Sequence, residues 1–211
     1  MKIAGSFTAS FTAALIATCL LLISGCASRG TYVPIDKHKL KGYGNIYFLP
    51  LGDFSPAKAE ALAAYYRDKY GIEVETLPAV PLNPSAVNSE RRQLIAEAVI
   101  ELIKAAAPDL VKDPRVILIG LTSEDMYISQ YSWQFTFSWR HEGRYAVVSD
   151  ARMSIGLRGA PAGGAMTRLR KMVTKNIGVL YYRLPQSDDP RSVLYKNVGG
   201  IDELDYMGEE F

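Results

Sequence analysis

Val116-Ile117-Leu118-Ile119-Gly120-Leu121-Thr122 is an almost unbroken apolar run. A half-buried strand alternates apolar with polar residues, so a run without alternation reads as a strand covered on both faces, at the centre of an α/β sheet. Such a strand needs helices above and below it, and the flanking sequence supplies them.

Upstream, Ile46 to Leu51 forms a short apolar strand. Ser55 and Pro56 then give an N-cap followed by proline at the first helical position. The helix from Pro56 to Tyr70 places Leu62, Tyr65, Tyr66 and Tyr70 near one side, and Gly71 ends it. Ile72 to Leu77 reads as a second strand, followed by a loop punctuated by Pro78, Pro81 and Pro84. Asn88 or Ser89 is expected to start a longer helix carrying Ile95, Val99, Leu102, Ile103 and Ala106 at helical spacing.

Downstream, Trp133, Phe135, Phe137 and Trp139 alternate with Gln134, Thr136 and Ser138, the pattern of a strand with one aromatic face. Gly143 marks a turn, and Tyr145 to Ser149 returns as a hairpin partner. A glycine-rich stretch over 156 to 164 leads into a third helix marked by Met166, Leu169, Met172, Val173, Ile177 and Leu180. The tail, 185 to 211, is polar and ends acidic. The expected architecture is an α/β sandwich with a mixed, twisted sheet and two to three main helices. The chain has no internal repeat.

The N-terminus carries a different message. Lys2 precedes a mostly apolar segment from Phe11 to Ile23, too short to span a membrane but suited to the core of a secretory signal. Its ending, Leu22-Ile23-Ser24-Gly25-Cys26, resembles a bacterial lipobox. That resemblance implies a signal peptide over 1 to 25, acylation of Cys26 and a tether over 26 to 44 before a domain over 45 to 211. The competing reading is an ordinary secretory signal with a chance cysteine. Two or three acyl chains, at about 0.8 kcal/mol per buried CH₂, hold a protein on a membrane essentially permanently. Ala27 rather than aspartate after the cysteine implies the periplasmic face of an outer membrane. The 24 basic residues include Lys2, so 23 face 22 acidic ones after cleavage. That balance argues against a nucleic-acid partner. Cys19 leaves with the signal and Cys26 carries lipid, so the mature chain forms no internal disulfide.

The order of segments resembles the archaemetzincin family of zinc metallopeptidase folds. Ile46-Tyr47-Phe48-Leu49-Pro50-Leu51-Gly52 is similar to that family's opening strand. Val116 to Thr122, with Asp125-Met126-Tyr127 following, is similar to its central strand and the element after it. Phe135-Thr136-Phe137, Val147-Val148-Ser149 and Ala151-Arg152 match its next two strands. The resemblance runs over about 45 to 205 and implies a zincin-like fold.

Members of that family carry His-Glu-x-x-His on the third helix and a third histidine six residues later. Two histidines four apart share a helix face and grip zinc, while the glutamate activates the bound water. With Ile177-Gly178 set against the Leu-Gly inside that motif, the ligand positions fall on Lys175, Val179 and Pro185, and the glutamate position on Asn176. Valine and proline offer no lone pair, a lysine ammonium repels a cation, and asparagine accepts no proton. The methionine expected below the metal appears as Leu194, and the family's additional zinc-binding cysteines are missing, with Gln186 and Ser192 near their places. The mature chain has only His38 and His141, so a three-histidine site is impossible by counting. No metal ligand, catalytic residue or cofactor is expected.

Asp188-Asp189 and Asp202-Glu203 with Asp205 offer oxygen ligands or an acid/base pair, against a reading as exposed acidic loops. The aromatic face from Trp133 to Trp139 offers a sugar platform, against a reading as core. No Gly-x-Ser-x-Gly elbow is present, and Gly159 to Gly164 fits a flexible connection better than a phosphate loop. Arg168, Arg170, Lys171 and Lys175 are expected to make a solvated basic face, with an anionic partner as the alternative. The resemblance implies that a peptide lies along a sheet edge, expected near Tyr145, Val147 and Ser149. The expected function is a lipid-anchored, catalytically dead metallopeptidase-like domain binding a peptide or protein in the cell envelope. The alternative is a hydrolase working through a carboxylate or non-family metal site.

Overall fold

The computed structural model describes residues 34–156 and 164–211. Cys26, the signal segment, the first part of the tether (26–33) and the interior of the glycine-rich stretch (157–163) lie outside the described residues. In chain order the elements are β1 (Asn45–Leu51), α1 (Pro56–Tyr70), β2 (Val74–Thr76), β3 (Val87–Asn88), β4 (Gln93–Ile95), α2 (Ala96–Ala106), α3 (Pro108–Val111), β5 (Val116–Thr122), β6 (Met126–Tyr127), β7 (Ser138–His141), β8 (Tyr145–Ser149), α4 (Gly164–Leu180) and α5 (Ile201–Tyr206).

The main sheet has the order β2-β1-β5-β8-β7, with β7 antiparallel and the other strands parallel. All seven residues of β5 are buried, as its unbroken apolar run requires. Odd and even positions feed two cores. Ile46, Phe48, Ile117, Ile119, Ala146 and Val148 face α1 and α4. Leu49, Leu51, Leu118, Tyr145 and Val147 face α2. Gly120 lets α2 come close, since a Cβ there would meet Ile103 Cδ1 at 2.4 Å.

Local chemistry explains α1. Ser55 is extended and its hydroxyl accepts from Lys58 N–H at 3.4 Å, while Gly71 closes the helix at φ 65°. The second helix starts later than Asn88. Asn88 Oδ1 instead accepts from Arg91 N–H at 3.1 Å in a turn, and Arg92 takes φ 52°. β4 then pairs with β6, a contact that local propensity does not reveal.

The aromatic alternation is also broken. Only Ser138–His141 is strand; Phe137 packs into the α4-side core and Trp139 against the α2-side core. Trp133 is 54% exposed and stacks on Tyr131 with centroids 4.7 Å apart. The tail packs back onto the fold, with α5 near its end. Leu204, Met207 and Phe211 are buried against the α1–α4 side, and Tyr65 Oη donates to Glu209 at 3.0 Å.

Candidate functional site

α4 is buried on nearly every side, polar and charged residues included: Arg168, Lys171, Lys175 and Asn176 all lie inside. The expected solvated basic face is therefore corrected, because the acidic tail folds over it. Arg168 donates to both Asp205 oxygens at 2.6 Å and to the carbonyls of Met153 at 2.8 Å and Ile155 at 2.7 Å. Lys171 donates to the carbonyls of Leu204 at 3.0 Å and Asp205 at 2.7 Å. Arg170 pairs with Glu209.

Lys175, one turn further along, has no such partner. It is 4% exposed and makes no hydrogen bond or ion pair among the described residues. Burial pushes its pKa down to about 8, and the Arg140 guanidinium adds to that fall. Arg140 projects from β7 and is itself lowered by burial. Its Nη1 donates to Asn176 Oδ1 at 3.2 Å, and Asn176 Nδ2 donates to the Met172 carbonyl at 2.7 Å. Both ends of the Asn176 amide are thus engaged, one by a cation and one by the helix backbone.

Zinc does not fit this arrangement. Lys175 offers only donors, Asn176 is committed, Val179 packs against the core and Pro185 is exposed. Among the described residues no three His, Cys, Asp or Glu side chains come together in a way that could hold a metal ion. His38 and His141 are exposed, and His141 Nε2 lies 3.1 Å from Glu142 Oε1. Asp205 and Glu209 pair with α4, Asp189 with Arg191 and Asp188 with Lys196, so these acidic residues serve ion pairs within the fold.

The floor beneath the site remains apolar. Ser192 Oγ accepts from Leu194 N–H at 3.1 Å, and Leu194 is buried against α4 at Gly178. A Cβ at Gly178 would meet Phe211 Cε1 at 2.5 Å and Leu194 Cδ2 at 2.6 Å. Gly178→Ala is therefore expected to cost about 1–3 kcal/mol by overpacking. A lowered thermal midpoint checks this, and an unchanged midpoint would show that Phe211 moves aside freely.

The expected peptide edge is corrected as well. Tyr145, Val147 and Ser149 lie on β8, which is enclosed between β5 and β7, and all five of its residues are buried. Tyr145 and Val147 face α2, and Ser149 Oγ donates to the Glu124 carbonyl at 2.6 Å. Of the two hairpin strands it is β7 that lies at a sheet edge, β2 being the edge at the other end. Alternate residues of an antiparallel strand bond to the same neighbour. Phe137 O accepts from Ser149 N–H at 2.9 Å, so the backbone groups of Ser138 and Arg140 face the open side. Thr136 Oγ1 occupies the Ser138 carbonyl at 2.8 Å. Arg140 thus belongs both to the open edge and to the cation pair. Reading the strand as ending at Trp139 hid this residue, although its phase opposite Trp139 would have directed it toward the third helix.

No family model matches the chain, and no curated protein does. Three solved structures are similar to it. Archaemetzincin from Archaeoglobus fulgidus, crystallised with malonate, gives a TM-score of 0.63 at 23% identity over 79% of this chain and 94% of that one. Archaemetzincin from Methanopyrus kandleri gives 0.60 at 21% identity over 85% and 92%. A zinc-dependent peptidase from Methanocorpusculum labreanum gives 0.61 at 18% identity over 78% and 95%. The chain has an archaemetzincin-like α/β fold with a mixed, twisted sheet.

Proposed function

We propose that this chain is a lipid-anchored bacterial envelope protein whose metallopeptidase-like domain binds a peptide or protein segment without cleaving it. The observation that carries the reading is the open β7 edge beside α4, where the positions of a zinc motif hold Lys175, Asn176 and Val179. An exposed sheet edge takes an extended segment through main-chain hydrogen bonds alone, with no reacting group required. The anchor rests on the lipobox-like ending at Cys26, and Ala27 favours the periplasmic face of the outer membrane.

Ser138→Pro tests the binding surface. It removes an N–H that faces the open side and spares the ladder to β8. Full-length protein in nonionic detergent is expected to retain short random-sequence peptides intact, and the variant to lose them while melting near the parent. Unchanged retention by Ser138→Pro, or cleaved peptides that chelator protects, contradicts the reading. In the same cells Cys26→Ser is expected to leave the membrane fraction and to lose palmitate labelling; a variant that keeps both refutes the anchor.

A further inference from the structure

Three basic side chains run along one buried stripe of α4, and two of them have acceptors. Arg168 is closed by Asp205 and two carbonyls, Lys171 by the carbonyls of Leu204 and Asp205. Lys175 has none among the described residues, although it is as buried as Arg168. Arg140, bonded to the neighbouring Asn176, spends one Nη1 donor there. Lys175 is buried and Arg140 half-buried, and no carboxylate among the described residues pairs with either. Such charges are tolerated in an interior when an opposite charge completes them.

We propose that Lys175 and Arg140 form a carboxylate-binding site at the position of the lost metal centre, and that the carboxylate belongs to a peptide paired along β7. This rests on the peptide-binding reading above. The group is the chain-terminal carboxylate or an Asp or Glu side chain, which share one chemistry. The guanidinium presents a planar fork that matches a carboxylate, and lysine adds a compact point charge. Placement agrees. The backbone of Arg140 faces the open edge while its side chain reaches α4, so a strand pairing at Arg140 passes directly by both cations. A cationic pair thereby takes the carboxylate end of a substrate-like segment, where a zincin's metal would polarise a carbonyl.

Full-length protein in nonionic detergent is titrated with three peptide pools. One lacks Asp and Glu and has free C-termini, the second is the same pool amidated, and the third is amidated but contains Asp and Glu. In parallel, sodium acetate and inorganic phosphate are added while the Lys175 Cε resonance is followed by NMR. At least one carboxylate-bearing pool is expected to bind about 10-fold or more tighter than the pool without carboxylates, and which one does so identifies the source. Acetate is expected to move the Lys175 resonance. Lys175→Met and Arg140→Met are expected to erase the discrimination while still binding the amidated pool.

Equal binding of all pools overturns the carboxylate site and leaves peptide pairing standing. A Lys175 resonance moved by phosphate alone, with no preference among pools, also overturns it. If acetate moves Lys175 but no pool binds, the anion site stands and pairing along β7 falls.

Discussion

Lys175→Met is expected to stabilise the protein by about 2–3 kcal/mol at pH 7. The cause is the depressed ammonium: a fall from 10.5 to about 8 corresponds to about 3 kcal/mol of unfavourable burial. The sign follows from proton counting. Between pH 8 and 10.5 the unfolded chain binds more protons at this lysine than the native one does, so native stability rises with pH across that window. Below pH 8 the full penalty is present. The advantage of the methionine variant should thus be constant under pH 8 and shrink as pH climbs toward 10.5. Arg140 on β7, a like charge, deepens the penalty. Urea melts of both proteins across this range check it. A variant less stable than the parent at pH 7 would mean that Lys175 is paired. The cost is of the kind that functional sites carry, which is why the same residue is assigned to ligand binding.

Arg168→Met is expected to act in the opposite direction, costing about 3 kcal/mol. It strands the carbonyls of Met153 and Ile155 and frees the tail from α4 at Asp205. The lower end of the range for broken buried pairs applies because the Asp205 side chain is 51% exposed. The Arg168 guanidinium holds the Asp205 carboxyl below its usual range. A carboxylate lowered in this way contributes stability above its unfolded pKa and loses it as pH falls below about 4. Glu209, lowered by Arg170 against the opposing effect of burial, titrates in the same direction. The denaturant midpoint at pH 7 and at pH 3 measures both effects: a large drop for the variant at pH 7 and a smaller one at pH 3 are expected. A loss that does not depend on pH would place the energy in the carbonyl contacts alone.

How far the sequence was legible depended on how local each feature is. β5 could be read from its unbroken apolar run, and α1 from Ser55, Pro56 and Gly71, because burial on two faces and capping leave local marks. α2 was read too early because Gln93 turns aside to Asp125 and the Gln134 carbonyl, partners at long range. The basic residues of α4 looked solvated because nothing local announces that residues 201 to 211 fold back over them. The edge was misplaced for the same reason. A hairpin fixes that β7 and β8 pair, but only the insertion of β8 beside β5 decides which of them stays open. That Lys175, Asn176, Val179 and Pro185 do not make a three-histidine site follows from residue identity alone. Arg140 was not legible, since its role depends on a contact between a strand end and a helix 36 residues later.

An archaemetzincin-like fold that carries a cation pair in place of a metal centre, as proposed, should hold no zinc. Zinc content decides it most directly, measured by inductively coupled plasma mass spectrometry on full-length protein purified from zinc-supplemented cells without chelator. No stoichiometric zinc is expected, and no change on Lys175→Met. One zinc per chain, lost together with peptide cleavage when chelator is added, would contradict it.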